Sequence, residues 1–121
     1  MTMRYLLLAM VLPFFTGCAT FRGDVRTASQ GKATKATIHA VCTAIDMFEI
    51  DTARYPTREE GLKALVENPG DGQWLGPYIR GGDAPLDAWG TPLRYTTKGT
   101  SYMVVSAGAD KHFDTQDDVR P

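Results

Sequence analysis

Between Ser29 and Asp51 the apolar positions return every three or four residues: Ala33, Ala36, Ala40, Ala44 and Phe48, with Val41 and Ile45 beside them. That spacing predicts one face of an α-helix. Lys32, Lys35, His39, Asp46 and Glu49 take the other side, so the stripe should meet a core and the charges water. Gly31 weakens the first turn, and the alanine-rich stripe would let a neighbour pack closely. Tyr55-Pro56 breaks the pattern. Thr57-Arg58-Glu59-Glu60 then forms a capping box, in which Thr57 can accept from the Glu60 N–H and the Glu60 side chain can reach back. Leu62, Leu65 and Val66 predict the apolar face of a short two-turn helix that stops at Asn68-Pro69-Gly70.

The period is lost over residues 70–92, which are rich in Gly and Pro and carry Trp74, Tyr78 and Trp89. A loop this long is either functional or pinned by its own side chains. The aromatics can supply the pins, since each buries a large area. The alternative is a carbohydrate or aromatic ligand site. Residues 92–97 and 102–106 flank Lys98-Gly99-Thr100-Ser101 and read as a hairpin, with Gly99 free to take a positive φ. Ala107 to Pro121 is a polar, Asp-rich tail. Helix first and strands later predict an α+β domain over residues 29–121.

The N-terminus follows another logic. Arg4 precedes an apolar run from Tyr5 to Phe15. The run is too short to span a bilayer and suits the core of a signal peptide over residues 1–17. Pro13 also argues against a continuous spanning helix. Thr16-Gly17-Cys18 resembles a lipobox, although Phe15 stands where Leu is usual. The resemblance implies that Cys18 becomes the first mature residue and carries lipid. Multiple acyl chains, at about 0.8 kcal/mol per buried methylene, suffice for stable anchoring. Ala19 behind the cysteine points to the outer membrane in lipoproteins of this kind. The alternative is an ordinary secretory signal that leaves Cys18 unmodified. Residues 18–28 show no period and read as a lipidated tether.

Composition narrows the function. The 121 residues make one domain, with 43% apolar residues and a net charge of −1 from 13 basic and 14 acidic residues. The basic residues are scattered, which excludes a nucleic-acid surface. Cys42 has Val41 and Ile45 for neighbours and no nearby Lys, Arg or second Cys, so it reads as a small buried hydrophobe. His39 and His112 lack the partners of a zinc site. Asp117 and Asp118 are adjacent, and no Ser/His/Asp or Cys/His set is evident, so no enzyme is expected.

The remaining chemistry lies in the tail, where Asp110, Asp114, Asp117 and Asp118 crowd together. Such carboxylates repel unless they are solvated or neutralised by a cation. Ca²⁺ fits a loose loop, because it takes six to eight oxygens from carboxylates and carbonyls. The segment lacks the Gly and Glu of an EF-hand.

Five stretches in order, RYPTREEGLKALVENP after Ile50-Asp51, WLGPYI at 74–79, PLDAWGTPLRY at 85–95, YMVVSAGAD at 102–110 and DD at 117–118, resemble the type II secretion system protein G family, the major pseudopilins. The resemblance implies a long N-terminal helix packed on a small antiparallel sheet, with a long loop and a calcium ion near the C-terminus. It places side-chain ligands at Asp110, Asp117 and Asp118 and backbone ligands at the carbonyls of Ala107, His112 and Thr115, with Asp114 left over. Lys111 replaces a common Gly and Ala88 a common Pro. Residues 1–17 show neither the Gly-Phe-Thr-Leu-x-Glu processing site nor the apolar helix with which pseudopilins begin. The expectation is a pseudopilin-like head on a lipid tether, facing the periplasm of a Gram-negative bacterium and contacting pseudopilins or other secretion-system envelope proteins. The alternative is an envelope lipoprotein that binds an exported protein or glycan through the Trp74/Tyr78/Trp89 loop.

Overall fold

Helix α1 runs from Ala19 to Thr52 in the computed structural model, which describes the backbone of residues 19–121 and side chains from Val25 on. The expected signal peptide at 1–17 and the expected lipidation at Cys18 lie outside the described residues. The helix starts well before Ser29, so residues 19–28 are helical and not an aperiodic stretch. Their missing period has a physical cause. Val25 to Ser29 are exposed, and a turn of helix that touches nothing needs no apolar stripe.

The register of α1 also differs from the alanine pattern. Ala33, Ala36 and Ala40 face solvent, whereas Thr34, Ile38, Val41, Ala44, Ile45, Phe48 and Thr52 are buried. An alanine buries one methyl. Fully burying Ile, Val or Phe contributes about 1.5–3 kcal/mol each. Ile38, Val41, Ile45 and Phe48 therefore set the rotation of the helix, and the alanines go where they are left. The helix ends at Thr52, and Ala53 behind it takes a left-handed φ of 59° while its N–H still donates to the Glu49 carbonyl at 2.8 Å.

The capping box forms as the sequence predicts. The Thr57 N–H donates to Glu60 Oε2 at 3.0 Å, and the Glu60 N–H donates to Thr57 Oγ1 at 3.2 Å. The box leads into a five-residue 3-10 helix, Gly61–Leu65, in place of the expected two turns. Gly61 at φ 57° leaves the α region right behind the box. Leu62, Ala64 and Leu65 still reach the core.

Strands β1 (Arg94–Lys98) and β2 (Ser101–Val105) form a two-stranded antiparallel sheet, Arg94 opposite Val105 and Lys98 opposite Ser101. Gly99 supplies the positive φ of the turn, at 60°. Leu93, Val104 and Val105 add to the core under α1. Two tyrosines stitch the hairpin on. Tyr95 Oη donates to the Pro56 carbonyl at 2.9 Å, and Tyr102 Oη to Asp46 Oδ1 at 2.9 Å. This is the α+β arrangement expected, one helix on a small antiparallel sheet.

Two of the three expected aromatic pins of the long loop are in place, while Trp89 is half-buried and lies outside the core cluster. Trp74 Nε1 donates to the Ala64 carbonyl at 2.8 Å, and Tyr78 Oη donates to Asp51 Oδ2 at 2.8 Å. The two rings meet edge to face at 5.8 Å, and Tyr78 meets Phe48 in the same way. Among the described residues no helix is long and apolar enough to cross a membrane.

Candidate cation-binding loop at the C-terminus

The C-terminal loop hangs on a buried polar frame. At the end of β2, Ser106 is fully buried and bridges to Val119: the Ser106 N–H donates to the Val119 carbonyl at 2.9 Å, and the Val119 N–H returns a bond at 3.0 Å. Ser106 Oγ donates to Asp87 Oδ2 at 2.7 Å and accepts from the Gly108 N–H at 3.1 Å. The other oxygen of Asp87 accepts the N–H groups of Trp89 and Thr91 at 3.0 and 2.8 Å. Asp87 is thereby buried with both oxygens satisfied, as burial of a carboxylate requires. The adjacent Ala88 stands where the family resemblance has Pro. Its N–H, which Pro would lack, donates to buried Thr34 Oγ1 of α1 at 3.1 Å. A relay of polar bonds thus runs from α1 through the 87–91 turn to both ends of the C-terminal loop.

Within that frame the chain doubles back on itself. Gly108 sits at φ 74°, and a Cβ there would collide with the Asp117 carbonyl oxygen. The expected ligand residues are spread around this turn. Asp110 is exposed and accepts the His112 N–H at 2.9 Å, which holds its carboxyl below the usual range. The His112 carbonyl accepts from Thr115 Oγ1 at 3.2 Å, and the Thr115 carbonyl accepts the Asp118 N–H at 3.4 Å. Ala107 is fully buried, and Asp117 is exposed. Asp118 differs from its neighbours: its side chain is only 3% exposed. Asp118 Oδ2 accepts the Asp114 N–H at 3.0 Å, while Oδ1 is buried with no hydrogen-bond partner. Asp114, the carboxylate left over by the resemblance, pairs with Arg94 at 2.7 and 3.1 Å, which holds its carboxyl low.

The residues carried over are carboxylate and carbonyl oxygens, the donors a hard cation takes, and the nearest positive group to Asp118 is the Arg120 guanidinium, 4.0 Å from Oδ2. A buried carboxylate oxygen lacking any partner is costly unless something positive meets it, so the residues present fit such an ion. Among the described residues, however, no three His, Cys, Asp or Glu side chains gather into one cage. A cation here would draw on backbone carbonyls beside Asp118. Lys111, at φ 59°, holds a left-handed position that a Gly would adopt without strain.

Other candidates resolve into structure. Trp74 and Tyr78 spend their polar atoms on Ala64 and Asp51, so the long loop is built inward. Cys42 is half-buried against the core, and burial pushes its thiol up and away from reactivity. His39 and His112 are exposed. Sequence reasoning assigned no role to Asp87, Ser106 or Arg94. All three lie inside the stretches PLDAWGTPLRY and YMVVSAGAD, and a carboxylate, a guanidinium and a hydroxyl in those two stretches are the available signal.

One long helix on a two-stranded hairpin, with a pinned aromatic loop and an aspartate-rich C-terminal turn, defines the head of a pseudopilin. The family described as "Type II secretion system (T2SS), protein G" matches residues 23–120, and the chain belongs to it. The type II secretion system core protein G of Pseudomonas aeruginosa is 37% identical over 90 residues, covering 67% of this chain and 62% of that protein. Its counterpart in Aeromonas hydrophila is 36% identical over 102 residues, covering 80% of this chain and 71% of that protein. The chain thus spans less than two thirds of the first relative's length. The crystal structure of the major pseudopilin from the type 2 secretion system of enterohaemorrhagic Escherichia coli superposes with a TM-score of 0.68 at 28% identity, covering 79% of this chain and 85% of that one. The family is one of structural secretion components and not of enzymes.

Proposed function

We propose that this chain is a calcium-stabilised, pseudopilin-like structural module that works in or beside a type II secretion apparatus and is held at the envelope by lipid on Cys18. The observation that carries the reading is the family match, which runs through the whole head from helix to C-terminal loop. Its partners are pseudopilins or other envelope proteins of the apparatus, and its place is the periplasmic side of the membrane, the outer membrane by the signal at Ala19. The packed state of Trp74 and Tyr78 favours this over capture of a glycan by the aromatic loop.

Asp110, Asp117 and Asp118, with the carbonyls of Ala107, His112 and Thr115, would hold the calcium ion. The buried free oxygen of Asp118 supports that assignment. Bound calcium would neutralise the loop carboxylates and add its binding free energy to the stability of the folded head. The chain's own contribution is the Ser106–Val119 bridge and the Asp87–Ser106 bond, which bring the two ends of the loop together.

Co-purification from cross-linked envelopes tests the assembly: pseudopilins should accompany the chain, and their repeated absence would refute the secretion role. Thermal melts of the mature protein test the cation. Calcium should raise the melting temperature over chelator, and Asp117→Ala should abolish the rise. No shift in the native chain would leave the fold standing and remove calcium from the reading. Incorporation of labelled palmitate that disappears in Cys18→Ser tests the anchor.

A further inference from the structure

Arg94 opens β1 and reaches across to the C-terminal loop. Its Nη1 and Nη2 donate to the two oxygens of Asp114 at 3.1 and 2.7 Å, a two-pronged pair. The guanidinium carbon also stands 4.4 Å from the centre of the Phe113 ring, within cation–π range. One side chain on the hairpin thus grips two consecutive residues of the loop. Asp114 is held at φ 67°, a conformation that a non-glycine residue keeps only where its surroundings over-determine it. In that conformation its N–H points at Asp118 Oδ2, 3.0 Å away, and Asp118 keeps its other oxygen buried and free.

We propose that Arg94 is the positioning residue of the C-terminal loop: it shapes the loop before any cation arrives. It does so by occupying Asp114, which is thereby withheld from the ligand set, and by fixing, through the Asp114 N–H, the rotation that leaves the buried oxygen of Asp118 for the ion. This rests on the calcium reading above. Lysine would not serve. Its point charge can neutralise Asp114 but can neither fork onto both oxygens nor stack flat on Phe113. The arrangement ties the edge of the hairpin to the loop by charge where the Asp87–Ser106 bond ties it by burial, so the loop has two fixed points independent of metal.

The test uses the mature protein and its Arg94→Gln, Arg94→Lys and Asp114→Asn variants, read in two ways. Amide hydrogen exchange over residues 108–118 in chelator reports the shape of the loop without metal. Calorimetric titration with calcium chloride reports affinity. Arg94→Gln, which loses both the exposed pair and the ring contact, should speed exchange in the loop up to about tenfold, and Asp114→Asn, which loses the pair alone, about two- to fivefold, while α1 and the 3-10 helix stay protected; calcium binding should weaken by similar factors. Arg94→Lys should recover only part of either effect. Loop exchange unchanged in both Arg94→Gln and Asp114→Asn overturns the proposal. Tighter calcium binding in Arg94→Gln also overturns it, since Asp114 would then be serving as a ligand once released. Should the native protein bind no calcium, the calcium reading falls, and exchange in chelator alone decides whether Arg94 shapes the loop.

Discussion

Ile38, Val41, Ile45 and Phe48 hold α1 on the hairpin with fully or almost fully buried side chains, and no carboxylate lies among them. The C-terminal loop contains four aspartates and is held by a buried serine, a two-pronged arginine pair and backbone bonds. The body is stabilised by area removed from water, a term that does not depend on the charge state of any one group. The loop is stabilised by directional polar bonds that depend on charge state and on single atoms. Two regions of one small domain should therefore fail under different conditions, and a cation bound as proposed would act on one of them alone.

Four substitutions sharpen that contrast, in order of expected size. Phe48→Ala removes a fully buried ring that also packs on Tyr78 and should cost about 3–5 kcal/mol in urea unfolding, with or without calcium. A loss under about 1 kcal/mol would mean that the core is not centred there. Ser106→Ala strands Asp87 Oδ2 in the interior and should cost about 1–3 kcal/mol. Hydrogen exchange should show that loss in the loop and the 87–91 turn before it shows in α1. Arg54 holds the Glu60 carboxyl below its usual range, so Glu60 contributes stability that is present above the unfolded carboxylate pKa of roughly 4.3 and is lost as pH falls through the lower folded value. Glu60→Gln keeps the capping box, since a Gln amide oxygen can accept the same Thr57 N–H, but loses the Arg54 pair; it should cost about 0.5–1 kcal/mol near neutrality and should flatten the acid limb of the melting curve. An unchanged acid limb would remove Glu60 from the account. Lys111→Gly should stabilise the loop by about 0.5–1 kcal/mol by relieving a left-handed lysine, and in calcium the gain should grow, because a positive charge leaves the site.

How much of this was legible depended on the range of the interaction. The capping box at Thr57 and Glu60 and the turn at Gly99 are local, and each is written in a few consecutive residues. The aromatic pins were legible in kind: Trp74 and Tyr78 had to be buried somewhere, though nothing named Ala64 or Asp51 as their acceptors. The helix was legible but its rotation was not. Alanines at regular spacing imitate an apolar stripe while contributing little to burial, and Ile38, whose burial fixes the face, falls outside that spacing. In the candidate site, the acidic residues were visible as a cluster. Which of them is buried, which is neutralised by Arg94 and which oxygen is left free are decided by contacts from β1 and from Asp87, far away in sequence. The aperiodic start of α1 failed for a related reason: a solvated helix leaves no periodic mark.

The Ser106–Val119 bridge has a practical side for anyone handling the protein. Val119 makes the last backbone bonds between the loop and β2, and behind it Arg120 and Pro121 are exposed, Arg120 reaching only the Asp118 carboxylate at 4.0 Å. A purification tag or fluorescent fusion appended after Pro121 starts from chain already in solvent. A truncation placed before Val119 instead unclasps the loop from β2, and so reaches the Asp87–Ser106 relay and, through Ala88, the helix itself.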